Sequence, residues 1–332
     1  MAHYRPWGLL DWVLPRCPVA GRWTLLGCLS TGERSLAVWR VLRNLNCLGS
    51  LKLLRIANKP SRHDAAVRRN EEDRLREFRQ AGGSEGDIEG HNLLEPVSRI
   101  VEVIDAFLPS AGSNLVLDVT ALPKRFFFPL LRLLIKRTSE VENLIVTYTS
   151  PARRTAEKLA ENPDQWAHLP LFSGRPREKP DMMVISVGFE ALGLQDHIHG
   201  EAGLPIKLLL PFPAPPEAYR RSLELARRLQ RNRADVFTTY WTDAKEVGDA
   251  FDRIVSLTTT TGGRKRVILA PFGPKPISVA MCIFATLTES QVFYTQPSVY
   301  HPEYSRGVGQ VGDLPAVWAY CLRLSGREYY HL

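Results

Sequence analysis

The chain twice runs through the same rhythm of short apolar stretches and longer segments with apolar residues at helical spacing. WTLLGCL, from Trp23, is a compact apolar run and predicts a strand; STGERSLAVWRVLRNL, with Leu36, Trp39, Val41 and Leu45 on one stripe, predicts the helix that follows. LKLLRIA predicts a second strand ending in the turn NKPSR. HDAAVRRNEEDRLREFRQ has so narrow an apolar stripe that it predicts an exposed helix, and AGGSEGDIEG predicts a loop. VSRIVEVIDAFL is helical, LVLDVT is a strand, RFFFPLLRLLIKR after Pro123 is a buried helix, and NLIVTYTS is a fourth strand.

A second cycle follows LPLFSGRPREKPD, whose prolines and charges predict a linker. MMVISVGFEALGLQDHIHG parallels the first strand, turn and helix, with Glu190 in the place of Glu33. IKLLLPFPAPPEAYRRSLELARRLQ gives strand, proline turn and helix, VGDAFDRIVSLT a further helix, and RVILAPFGPKP a strand and turn matching LVLDVTALPK. QVFYTQPSVY matches IVTYTSPARR as a strand ending in Tyr-Thr-x-Pro. The expected fold is α/β: two Rossmann-like halves with parallel sheets, in pseudo-tandem duplication. The first half covers 1–162 with a charged helical insertion at about 60–95, the linker 163–180, the second half 181–310, and a C-terminal edge segment 311–332, partly alternating as a strand.

At 332 residues the chain is long for one core and comfortable for two. Hydrophobic residues at 44% and charged residues at 23% exclude disorder over the whole length. A net charge of +8 and a pI near 9.3 favour anionic partners, nucleic acid included. Cys17, Cys28, Cys47, Cys282 and Cys321 are odd in number with no close pair in sequence, which points to reduced thiols in a cytoplasmic protein. Asp11, Pro15 and Arg16 interrupt the start as a signal peptide, and no apolar run approaches the roughly 20 residues that span a bilayer, so no membrane partner is expected.

In open parallel sheets, ligands bind beyond the carboxyl ends of strands, where loops and helix amino termini converge. That rim would carry Ser30, Thr31 and Arg34, then Asp118, Thr120, Lys124, Arg125 and Tyr148 in the first half. In the second it would carry Ser186, Phe189, Phe272, Gly273, Lys275, Tyr294, Gln296 and Tyr300. Lys124 in ALPKR and Lys275 in FGPKP each open a helix, where the macrodipole favours an anion, and read as phosphate contacts or as solvated lysines. Neither turn is a Walker loop. Asp118 reads as a helix cap or ribose contact ahead of a catalytic group, because the sequence fixes no second acid or base beside it. Glu33 and Glu190, each in a first helical turn, are the other weak catalytic candidates. His197 and His199 diverge on a helix and make a poor metal site, so neither metal nor cofactor is expected. The tyrosines and arginine of YTQPSVYHPEYSRG suit base stacking or packing on a sheet edge.

This pairing of halves, each with a small-residue turn after its first strand and a basic turn near its end, resembles the CARF and SAVED families over about Trp23 to Gly309. Those families sense cyclic or linear oligonucleotides in prokaryotic defence. The resemblance implies a non-catalytic sensing or adaptor subunit, with a phosphorylated ligand held between the halves by Lys124, Arg125, Lys275 and the first-strand turns. The chain has little spare length for an effector, so a separate effector protein or a homo-oligomer is implied. An enzyme acting on a nucleotide or phosphate ester, and a nucleic-acid-binding subunit of a larger complex, are the alternatives.

Overall fold

The computed structural model describes residues 4–154, 160–175, 179–188, 203–214, 216–231 and 237–332. The chain divides into two compact units, one of Met1–Glu161 with Ser298–His331 and one of Asn162–Pro297.

The first unit is built on an eight-stranded sheet. Its strands are β1 (Trp7–Leu9), β2 (Trp23–Leu29), β3 (Leu48–Ala57), β4 (Ile88–Asn92), β5 (Asn114–Asp118), β6 (Asn143–Thr149), β19 (Val317–Leu324) and β20 (Arg327–Glu328). Their order is β1-β19-β6-β5-β2-β3-β4, with β20 paired to β19. Strands β2 to β6 are mutually parallel, while β19 lies antiparallel on β6 and β1 antiparallel on β19. Helices α1 (Leu10–Val13), α2 (Ala37–Asn44), α3 (Asp64–Gln80), α4 (Val97–Ala111) and α5 (Lys124–Lys136) fill the connections. β2, β5 and β6 are buried at every position, which is why they read as unbroken apolar runs. In α5, Phe126, Phe127 and Phe128 are all buried, whereas α3 buries only Phe78. A ribbon extends this unit: β7 (Pro151–Arg154) lies antiparallel to β16 (Ser305–Val308).

In the second unit, a six-stranded sheet contains β8 (Ala160–His168), β9 (Met182–Ser186), β10 (Ile206–Phe212), β11 (Phe237–Asp243), β14 (Val267–Pro271) and β15 (Gln291–Tyr300), in the order β11-β10-β9-β14-β15-β8. β9, β10, β11, β14 and β15 are parallel wherever they pair. α6 (Pro216–Arg231), α7 (Val247–Thr258) and α8 (Lys275–Thr288) connect them, and α8 is buried without a break from Pro276 to Thr286. Two-residue pairings β12 (Thr259–Thr260) with β13 (Gly263–Arg264), and β17 (Gln310–Val311) with β18 (Leu314–Pro315), complete the strands.

The fold is therefore α/β with parallel-rich sheets. Taken in chain order, the five parallel strands of each unit have one spatial order: β6-β5-β2-β3-β4 in the first and β15-β14-β9-β10-β11 in the second. Several boundaries differ from the sequence expectation. β4 and β11 are edge strands where no strand was expected, and the expected linker contains most of β8. The C-terminal segment is inserted between β6 and β1 rather than capping a sheet edge, with Val317 opposite Thr149. Among the described residues no helix is long and apolar enough to cross a membrane.

Candidate functional site at the carboxyl ends of the sheets

In both sheets the strand order reverses between the first and fourth parallel strands, β2 with β5 and β9 with β14, and the loops after them share one end of the sheet.

In the first unit, β2 runs into a turn at Ser30–Gly32 and a 3-10 turn at Glu33–Leu36. Ser35 closes the turn, its hydroxyl donating to the carbonyls of Gly32 at 2.8 Å and Ser30 at 3.4 Å. Ser30 and Thr31 are half-buried and Glu33 is exposed. Arg34 turns inward and is only 8% exposed. Its guanidinium donates to Thr149 O at 3.0 Å, Ser305 Oγ at 2.8 Å and Tyr304 Oη at 3.1 Å. Burial works against its charge, but Tyr304, Tyr148 and Asp118 outweigh it and hold its pKa above the ordinary arginine value. Tyr304 responds in kind, for although burial opposes ionisation, Arg34 draws its pKa below the usual phenol range. Arg34 is thus a buried strut between the first turn, the end of β6 and the Tyr304–Ser305 segment, not a cation presented on the rim.

Asp118, 2% exposed, ends β5. Its Oδ1 accepts from Thr120 N at 3.0 Å, Thr120 Oγ1 at 2.5 Å and Thr147 Oγ1 at 3.4 Å. Thr120 Oγ1 in turn accepts from Thr149 N at 2.8 Å. This is a turn closed on the residue two positions on. It replaces the expected helix cap, because Pro123 occupies the N-cap of α5. Tyr148 is buried on β6 opposite Trp318. Lys124 is the first residue of α5 and half-buried; a proline N-cap supplies no side-chain acceptor to the first turn behind it. Arg125 donates to Glu95 O at 2.9 Å, anchoring the helix start to the segment after β4.

In the second unit, Ser186 ends β9 fully buried, and its Oγ accepts from Gly273 N at 3.0 Å. The two loops approach so closely that a Cβ on Gly188 would lie 2.2 Å from Phe272 O. One on Gly273 would lie 2.9 Å from the Ser186 side chain. Phe272 is buried in an aromatic stack, with ring centroids 5.9 Å from Trp166 and 5.3 Å from Tyr294. Lys275, half-buried, opens α8 behind Pro274 as Lys124 opens α5 behind Pro123. Tyr294 and Gln296 are buried within β15, Gln296 donating to Pro297 O at 2.8 Å, and Tyr300 closes that strand within the first unit's residues. Phe189, Glu190, His197 and His199 lie outside the described residues.

The matched Tyr-Thr-x-Pro segments share a further property. Thr149 in β6 and Thr295 in β15 are both buried, and the hydroxyl oxygen of each has no hydrogen-bond partner. Leaving such a group unsatisfied costs about 1–3 kcal/mol.

Sequence reasoning missed a titratable cluster beside the first rim. His91, buried in β4, has Nδ1 2.5 Å from Glu95 Oε1 and Nε2 3.0 Å from Glu89 Oε1, and meets Phe126 edge-on at 5.9 Å. It lies in a stretch with a single apolar residue, IEGHN, so periodicity gave no signal. Among the described residues no group of three or more His, Cys, Asp or Glu is arranged to hold a metal. A cavity of about 370 Å³ lies at the opposite end of the first sheet, lined by Trp39, Arg43, the first residues of β3, Gly82, Gly83 and Asp87.

No family model matches the chain, and no curated protein matches it. Among solved structures, it is similar to a protein of Pseudomonas aeruginosa UCBPP-PA14 provisionally assigned as a universal stress protein. The identity is 16%, the TM-score 0.24, and the match covers 84% of this chain and 94% of that one. A protein of unknown function from Pseudomonas aeruginosa PAO1 matches with the same identity, coverage and TM-score. Likeness at this level carries no functional argument.

Proposed function

We propose that the protein is a non-catalytic binder of a phosphorylated small molecule or nucleotide, with a site at the order-reversal end of each sheet. The observation that carries this reading is the repetition, in two sheets of one strand order, of a proline N-cap followed by a lysine at the first helical position. A cation there adds to the positive end of the helix dipole in attracting an anion. Asp118 supports a binder over an enzyme: its Oδ1 already accepts from Thr120 and Thr147, and it is almost inaccessible to a substrate proton. The resemblance to CARF and SAVED sensors suggests cyclic or linear oligonucleotides as the ligand class and a separate protein as effector.

The test is calorimetric titration with a panel of mono-, di- and cyclic nucleotides, alongside mass spectrometry of small molecules released from the purified protein. A charge-assisted contact contributes about 1.5–3 kcal/mol, so Lys124→Ala and Lys275→Ala should each weaken the bound nucleotide by roughly ten- to a hundredfold. Thermal midpoints should hardly change. Unaltered affinity in the double variant refutes the reading, and turnover that disappears in Asp118→Asn establishes the enzyme instead.

A second reading, nucleic-acid binding, is favoured by one surface of the second unit. Phe212, Trp241 and Tyr219 are 56%, 44% and 37% exposed. Trp241 stacks on Tyr219 at 5.5 Å and 4° and meets Phe212 edge-on at 6.1 Å. α6, which carries Tyr219, also exposes Arg220, Arg227 and Arg228. Exposed rings beside arginines suit stacking on unpaired bases. Single-strand affinity that falls steeply with salt and is lost in Trp241→Ala would establish it.

A further inference from the structure

The ribbon of β7 and β16 carries a pair of like charges that works against its own pairing. In its register Ser305 stands opposite Arg154, Arg306 opposite Arg153 and Val308 opposite Pro151. Residues opposite one another in an antiparallel pair share a face, and successive residues alternate between faces. One face packs on the first turn: Ser305 is buried with its Oγ on Arg34, and a Cβ on Gly307 would stand 3.1 Å from the Ala152 Cβ and 3.6 Å from Glu33 Oε2. The other face therefore presents Arg153 and Arg306 side by side. Both are exposed, Arg306 over 65% of its side chain, and Arg154 is exposed next to them. Arg306 pairs with Glu303 at 2.8 Å, whereas among the described residues Arg153 pairs with no carboxylate. Like charges directly opposite on two strands destabilise the pair. The ribbon is nonetheless firmly held. Arg34 ties Tyr304 and Ser305, at the start of β16, to Thr149 O at the end of β6, and beyond the other end of β16 Gly309 N donates to Ser150 O at 2.8 Å.

We propose that the outward face of this ribbon docks on the phosphate backbone of double-stranded nucleic acid, with Arg153 and Arg306 on neighbouring phosphates and Arg154 at the margin. A guanidinium meets a phosphate through a planar fork of donors, and two of them fixed on a braced ribbon lose little freedom on binding. Phosphates against Arg153 and Arg306 also offset the repulsion that the free ribbon bears, so the pair favours the bound state. The strands PARR and SRGV contain no aromatic ring, so this face has nothing on which an unpaired base could stack and reads backbone charge alone. A duplex supplies that charge at one per roughly 1.7 Å of axis. The chain's net charge of +8 adds long-range attraction to it. This surface goes beyond both readings above. It uses neither Lys124 nor Lys275, and it belongs to the first unit, whereas the stacked rings of Trp241 and Tyr219 belong to the second.

The full-length protein is titrated into a fluorescently labelled random-sequence duplex of about 20 base pairs at several salt concentrations, and binding is read by anisotropy. The parent should bind at low salt, with log affinity falling linearly against log salt. Arg153→Gln with Arg306→Gln should make that slope shallower by about 1–2, since each phosphate contact contributes about 0.9, and Arg153→Gln alone by about half as much. At low salt the double variant should bind roughly tenfold or more weakly. Both positions are exposed, so its unfolding midpoint should equal the parent's or exceed it, the repulsion being gone. Arg227→Gln with Arg228→Gln removes the same charge from α6 and should leave the duplex slope unchanged. No duplex binding by the parent at low salt, equal losses in the two double variants, or a loss on phosphatidylserine vesicles without one on duplex would each overturn the proposal. Trp241→Ala should leave the duplex slope unchanged, so failure of the single-strand reading and failure of this one give different results.

Discussion

Replacing Arg34 by alanine separates a structural strut from a ligand contact. The side chain makes three hydrogen bonds in a buried setting, to Thr149 O, Ser305 Oγ and Tyr304 Oη. Hydrogen bonds from a charged donor contribute about 1.5–3 kcal/mol each in the folded state, but removal also releases the cost of burying a cation, and the two hydroxyls can turn to other partners. The Thr149 carbonyl cannot turn, since β6 holds it. A net loss of about 2–4 kcal/mol follows, which at a urea dependence of about 2 kcal/mol per molar moves the unfolding midpoint down by roughly 1–2 M. Tryptophan fluorescence suits the measurement, because Trp7, Trp12, Trp23, Trp39 and Trp318 all lie in the first unit. Arg34→Lys should recover only part of the loss, since an ammonium cannot reproduce the planar fork. A midpoint within about 0.3 M of the parent, together with weakened nucleotide binding, would refute the strut and return Arg34 to the rim.

Three further outcomes follow. Asp181 accepts from Arg266 Nε at 3.2 Å, Arg266 Nη2 at 2.9 Å and Arg266 N at 2.9 Å, and these bonds, the side chain's above all, hold its pKa at about 2. A depressed carboxylate stabilises the fold fully above its ordinary value, and the contribution fades as pH falls through about 2; the stability difference between the parent and Asp181→Asn should therefore be constant near neutrality and shrink between about pH 4 and pH 2. The pair is well exposed, so salt should reduce that difference at every pH. Gly188→Ala would place a methyl 2.2 Å from Phe272 O, and chemical denaturation should show a loss of about 1–3 kcal/mol with weaker ligand binding in the second unit. Arg323→Met should destabilise the first unit by about 3–5 kcal/mol, because it removes the buried partner of Glu328 and the donor to Val141 O and Ile135 O; an unchanged unfolding midpoint would contradict that account.

What the sequence revealed and concealed follows from how many faces of each strand are covered. β2, β5, β6, β9 and β14 are buried on both faces, so selection of apolar side chains at every position writes them as continuous runs. β4 and β11 occupy the same outer place in their two sheets, and β4 as IEGHN and β11 as FTTYWTD carry polar residues through most of their length. An edge strand needs only one covered face and is better protected from unwanted pairing when polar, which removes the very signal by which strands are found. β8 escaped for a related reason: AENPDQWAH has its large apolar residue, Trp166, stacked on Phe272 and Phe293, while Asn162, Asp164 and Gln165 are exposed.

The rim shows the same limit at the level of single side chains. Strand ends and helix starts were legible, so the positions of Asp118, Lys124, Ser186 and Lys275 follow from hydrophobic pattern and proline placement. Whether a side chain at such a position turns out or in depends on partners distant in sequence. Arg34 is drawn inward by Thr149 and by Tyr304 and Ser305, some 270 residues away, and Asp118 by Thr147 as well as its neighbour Thr120. The place of β19 carries the point furthest, because its insertion between β1 and β6 pairs a C-terminal strand with Trp7–Leu9 near the other end of the chain, and no local pattern encodes that place in the sheet. Chemistry built within one loop can be read from a sequence; chemistry built by sheet order becomes visible only once the order of strands is known, and in this protein the buried arginine network is of the second kind.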